Sequence, residues 1–180
     1  MEDINYNLTK QHFNTKIYKS YLQYISKNYP SVNISSLCEI AGLSSDYIYK
    51  GEGWVSIEFN SKFMKEIKSL ISDPDFEYKV GQASFSKEIM GPVYYLMRDV
   101  LTLEEIYNNI WKFPKYFNKV VSFDSIKKSS GEVIIRVKIN KEDLSSAEIS
   151  TLQSSMADIV NNSLGYYSGF AKSKNIDSAK

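Results

Sequence analysis

The sequence predicts an α+β fold, mostly helical with a small antiparallel sheet. Three observations predict it. Apolar residues recur every three or four positions in several windows; two β-rich runs flank a Lys-Lys-Ser-Ser-Gly break at about 119–139; and capping-box spacings mark helix starts at Ser36, Thr102 and Ser145.

In chain order, Phe13, Ile17, Tyr21 and Tyr24/Ile25 form one apolar stripe, which predicts a helix over 9–28 that Tyr29-Pro30 ends. Ser36 with Glu39 opens a two-turn helix bearing Leu37, Ile40 and Ala41, and Gly42 closes it. The segment WVSIEF (54–59) alternates, with Val55, Ile57 and Phe59 on one side, as a short strand does. Asn60 then caps a helix over 61–72 whose inner side is Phe63, Met64, Ile67, Leu70 and Ile71. Asp73-Pro74-Asp75 is a turn, and a helical turn up to Gly81 and a loop follow.

Pro92 suits a first helical position, and Val93, Leu96, Met97 and Val100 repeat at helical spacing; the pattern predicts one helix over 92–101 and a second over 102–113. The hairpin carries Val121, Phe123 and Ile126 on one run and Val133, Ile135, Val137 and Ile139 on the other. A last helix over 145–170 has a seam at Ile149, Leu152, Met156 and Ile159, continued by Ser163, Tyr166 and Phe170. Residues 1–170 therefore read as one domain, and the polar 171–180 as a frayed end or the start of a linker.

Composition removes several function classes. Lys and Arg number 22 against 21 Asp and Glu, so no strong field draws the protein to nucleic acid. The first residues are acidic where a signal peptide is basic, and no window approaches the 18 or so apolar residues of a membrane span. Cys38 is the one cysteine, which fits a reducing cytoplasm. It has no activating pattern around it and reads as a small buried hydrophobe, while the lone His12 reads as a surface residue. The eight glycines are scattered and build no phosphate loop, and no nucleophile elbow or paired-histidine helix is present. Turn formation and helix N-terminal charge account for the carboxylates at 73, 75, 104 and 105. These patterns predict no catalytic residue, no metal ligand and no cofactor.

The positive signal is aromatic. Fourteen Tyr, nine Phe and two Trp make up 14 % of the chain. Together with methionine they crowd the middle, and Met90, Tyr94, Tyr95, Met97, Tyr107, Trp111 and Phe113 are the candidate pocket residues. The alternative is that they are core. Tyr94 and Tyr95 are adjacent, so on a helix one of them needs a second environment.

A family resemblance rests on these residues. Ala41, Gly42 and Leu43, then Asp73, Pro74 and Gly81, then Gly91, Tyr95, Thr102 and Leu103, followed by a hairpin, match in order and spacing the N-terminal effector-binding region of a group of AraC-type regulators. The layout also resembles the N-terminal sensory segments of bacterial histidine kinases and nucleotide cyclases, of the 4-vinyl reductase and haem nitric oxide binding type. The match spans roughly 36–140. Two departures limit it: no helix-turn-helix pair follows, and the proximal histidine and Tyr-x-Ser-x-Arg signature of the haem-binding relatives are absent, so haem is not implied.

The resemblance implies a cytoplasmic bacterial signal-input domain with no direct nucleic-acid contact. Its input is a small apolar or aromatic molecule, or a partner protein. Its output passes through the 145–170 helix to a kinase, cyclase or DNA-binding module in the natural context, and that helix is a candidate homodimer seam. A non-catalytic interaction or structural domain with a filled core is the alternative.

Overall fold

A computed structural model describes residues 10–102, 105, 114–127 and 133–174. The fold is α+β: helices surround two antiparallel two-stranded sheets. The first sheet pairs β1 (Phe13–Asn14) with β2 (Trp54–Val55). That pairing delays the first helix. α1 runs Thr15–Asn28, because Phe13 is held in the strand and the Asn14 side chain accepts the Lys16 N–H at 2.9 Å, the geometry of an N-cap.

Two more helix starts differ from expectation because a side chain upstream of the expected cap takes the first free amides. α2 (Ile34–Ala41) is capped by Asn33, which accepts the Ser36 N–H at 3.0 Å, not by Ser36 itself. Gly42, left-handed at φ 101°, closes α2 as the sequence predicts. α3 (Ser45–Lys50) follows. The alternating WVSIEF is strand only at β2; Ser56 accepts the Phe59 N–H at 3.1 Å and opens α4 (Ile57–Leu70) four residues earlier than an Asn60 cap allows. His12 contributes to the same helix start, its Nδ1 accepting the Ile57 N–H at 3.1 Å. It is a half-buried capping group rather than a surface residue.

α5 (Phe76–Ser84) runs through Gly81 instead of stopping there. α6 (Lys87–Met90) ends at Gly91, which adopts φ 59°, and α7 (Pro92–Tyr95) continues into a π-helical turn over Leu96–Val100. The helix predicted over 92–101 is thus a short α-helix with a wider last turn. At the next joint Glu105 N–H donates to Thr102 Oγ1 at 3.1 Å while Glu105 Oε2 accepts the Thr102 N–H at 2.7 Å, a formed capping box. The rest of the expected 102–113 helix lies outside the described residues.

A 3₁₀ turn at Pro114–Tyr116 leads to β3 (Val121–Lys127) and β4 (Val133–Ile139), paired from Val121↔Ile139 to Lys127↔Val133, so the predicted hairpin is present. Val121 and Phe123 are buried, and Val137 and Ile139 across from them pack on the same core. Asn14 N–H to Phe117 O (2.7 Å) and Lys119 N–H to His12 O (2.9 Å) join this hairpin to β1.

The predicted C-terminal helix is two helices, α8 (Ser146–Ser154) and α9 (Met156–Ser173), broken at Ser155. The Ser145–Glu148 capping box opens α8 as expected. α9 lies on α5 at very short range. A Cβ built on Gly165 would overlap the Tyr78 carbonyl oxygen and stand 2.8 Å from its carbon, and one built on Gly81 would overlap the Asn162 carbonyl and stand 3.0 Å from the Tyr166 nitrogen. The seam that suggested a second copy is therefore covered within the chain: Leu152 is fully buried and Ile159 packs on the main core. That core centres on Tyr18, Leu22, Ile25, Phe59, Phe63 and Ile67, with Tyr18 set edge-on to Phe59 and Phe63 at 5.2 and 5.3 Å. A smaller cluster joins Phe85, Met97, Tyr167 and Phe170. Cys38 is fully buried, and burial pushes its thiol up to about 12. Among the described residues no helix is long and apolar enough to cross a membrane.

Candidate functional site

A cavity of about 180 Å³ opens between α1, α4, the base of the hairpin and α9. Helical spacing builds two of its walls: Ile17 and Tyr21 stand one turn apart on α1, and Ile159, Asn162 and Tyr166 follow at three- and four-residue steps on α9. Asn60 and Met64 come from α4, and Val121 and Phe123 from β3.

The polar groups around it are mostly matched to each other. Tyr18 donates its hydroxyl to Asn60 Oδ1 at 2.9 Å. Tyr21 donates to Glu77 Oε2, and Asn162 Nδ2 donates to the Tyr21 oxygen at 3.2 Å and to the Glu77 carbonyl at 3.3 Å. Glu77, in the first turn of α5, is only 6 % exposed. Burial raises its carboxyl to about 7; the Tyr21 hydrogen bond opposes this, Asp158 adds to it, and Lys68 opposes it. Asp158 is itself held by Lys68 Nζ at 2.7 Å. Burial pushes the Tyr18 and Tyr21 hydroxyls well up, so both stay protonated and act as donors. Tyr166 differs. Its hydroxyl, also pushed up by burial, reaches two thioether sulfurs, Met90 Sδ at 3.4 Å and Met97 Sδ at 3.6 Å.

The arrangement suits binding. Glu77, whose carboxyl burial raises to about 7, lies behind Tyr21 rather than in the cavity wall. Among the described residues no three His, Cys, Asp or Glu side chains are grouped to hold a metal ion.

Of the pocket residues expected from sequence, Met90 lines this cavity. Tyr94 is half-buried against Phe85, with ring centres 5.2 Å apart. Tyr95 is 47 % exposed, and the Arg98 guanidinium lies 5.3 Å from both tyrosine rings. Met97 is 1 % exposed in the smaller core cluster. The two adjacent tyrosines thus occupy different environments. Tyr107, Trp111 and Phe113 lie outside the described residues. Among the described residues, Met90 and Phe117 line the cavity from the stretch around the candidates, and α1, α4, β3 and α9 supply further lining. Sequence reasoning placed Tyr21 and Tyr166 on apolar stripes but took them for core and seam. The pairing of Gly165 and Gly169 one turn apart, with Tyr166 and Tyr167 between, is the signal in the sequence that this helix packs closely.

No family model matches this chain, and neither does any curated protein or solved structure.

Proposed function

We propose that the chain is a non-catalytic, cytoplasmic, bacterial signal-input domain that binds a small, largely apolar molecule in the cavity between α1 and α9. One observation carries this: the cavity wall is shared between the central bundle and the C-terminal helix, so an occupant touches both. A ligand that fits one seating of α9 better than another shifts the population between them. Because α9 meets α5 through Gly81 and Gly165, its seating has little slack, and a small displacement moves the whole helix. The resemblance to sensory segments supports the same reading, with a kinase, cyclase or DNA-binding module as its output. A homodimer through 145–170 would use the outer side of the helix, where Leu164 is exposed, rather than the covered seam.

The volume limits the ligand. An apolar cavity of about 150 Å³ takes benzene, and drug-sized sites begin at about 300 Å³. At about 180 Å³ this one takes a single ring or an aliphatic equivalent. A second reading, a non-catalytic interaction domain, is favoured by the exposed Val93, Tyr95, Leu96 and Val100. A thermal-shift series with toluene and cyclohexanone separates them. At about ten times Kd an occupant adds about 1.4 kcal/mol, which for a chain of this size raises Tm by about 4 °C. Absence of any shift at solubility-limited concentrations favours the interaction domain.

A further inference from the structure

We infer that the ligand is neutral and carries one hydrogen-bond-accepting oxygen on its apolar body, and that the Tyr166 hydroxyl takes that oxygen. The inference rests on the ligand-binding reading above and specifies its chemistry.

The donors in the wall are unequal. Tyr18 and Tyr21 give their protons to oxygen acceptors, Asn60 Oδ1 and a Glu77 carboxyl oxygen. Ser20, Ser84 and Ser163 give theirs to the carbonyls of Ile17, Val80 and Ile159. Tyr166 gives its proton to sulfur, at 3.4 and 3.6 Å. A thioether is a weak acceptor, so an entering carbonyl or ether oxygen is a better partner for this hydroxyl than either methionine. Met90 lines the cavity beside Tyr166, and an unbranched methionine side chain can move aside without a large loss of packing. The same exchange gains nothing at Tyr18 or Tyr21, which would give up an oxygen acceptor to bind a ligand.

Charge selects neutrality. Asp158, in the wall, is already paired with Lys68, so a charged ligand of either sign would give up its hydration without gaining a partner there. Lys16, the cation in the wall, is exposed to solvent that screens it. A neutral ligand avoids that desolvation cost.

The test uses protein with isotope-labelled methionine methyl groups, titrated with cyclohexanone, methylcyclohexane and cyclohexanecarboxylate. The Met64 and Met90 methyls report occupancy of the cavity, and Met97 reports the Tyr166 hydroxyl. Cyclohexanone is expected to bind the wild-type protein about threefold tighter than Tyr166→Phe, the difference between a hydrogen bond to oxygen and the one to sulfur that it replaces, with methylcyclohexane binding both alike. Cyclohexanecarboxylate is expected to bind at least about tenfold more weakly than cyclohexanone. Equal cyclohexanone affinity in the two proteins, or a carboxylate that binds as tightly as the ketone, overturns this inference and leaves the cavity a ligand site of other chemistry. If no probe moves the Met64 and Met90 methyls, the ligand-binding reading itself fails. Should Tyr166→Phe lose methylcyclohexane binding, its cavity has not survived, and Met97→Leu decides instead. Removing a competing acceptor should tighten cyclohexanone about threefold, and unchanged affinity overturns the proposal.

Discussion

Alanine in place of Gly165 normally favours a helix interior by about 1 kcal/mol. Here it is expected to do the reverse. The new methyl would overlap the Tyr78 carbonyl oxygen and approach the Gln82 backbone nitrogen to 2.9 Å, and both obstacles are main chain of α5, which cannot turn aside as a side chain can. Relief requires α9 and α5 to separate by roughly 1 Å, which removes dispersion contacts along their whole crossing. Overpacking of this kind costs about 1–3 kcal/mol, and two rigid obstacles put it at the upper end. The net loss after the helix gain is about 2 kcal/mol, a fall in Tm of about 6 °C for a chain of this length. Chemical denaturation with a circular dichroism readout measures it, and Gly91→Ala is the control. That glycine combines φ 59° with ψ −137°, a conformation essentially reserved to glycine, and has no atom within 4 Å of its built Cβ, so it should lose about 1–3 kcal/mol from backbone strain alone, with no overlap. A Gly165→Ala protein as stable as wild type, or more stable, refutes the close α5–α9 crossing.

Other consequences follow from buried groups. Glu77 is raised from an ordinary 4.5 to about 7, so the folded protein holds its proton where the unfolded chain has lost it. Stability should be greatest below pH 4.5 for this group and fall as pH rises through about 7, by about 3 kcal/mol at most; Glu77→Gln should flatten that slope and gain about 1–3 kcal/mol at pH 8 in urea denaturation. Burial lowers the His12 pKa below 6.5, the opposite sense, so its contribution is full above that pH and lost on acidification. His12→Ala should cost about 1 kcal/mol at pH 8, by leaving the Ile57 N–H without its cap, and less at pH 5. Cys38, fully buried with its thiol raised to about 12, should react with a thiol reagent only as fast as the protein unfolds, and rapid labelling of native protein would contradict its burial.

Much of the architecture is legible in the sequence, and its failures share a cause. The hairpin, Gly42 and the Ser145–Glu148 box are set by local chemistry, and all three stand where the pattern puts them. Helix starts differ from the pattern where another side chain caps first, and at α1 and α4 a tertiary contact helps decide which. Ser36 has the right spacing to Glu39, yet Asn33 caps the helix a turn earlier. WVSIEF alternates as a strand does, but Ser56 and the distant His12 together satisfy the first amides of α4, and the alternation ends after Val55. Gly81 looked like a helix end because glycine often is one; its purpose is to admit α9, which lies about eighty residues away in sequence. The cavity was legible only as a surplus of aromatics. Which of them face it depends on how α9 folds back, and no local period records that.

The central claim is that occupancy of the cavity is felt by the C-terminal helix. Native-state hydrogen exchange of α9 amides, with and without saturating cyclohexanone, measures it most directly. The account predicts that protection rises more over 159–167, the stretch that lines the cavity, than over α2, which does not. A uniform rise across both helices, or none in α9, would contradict it.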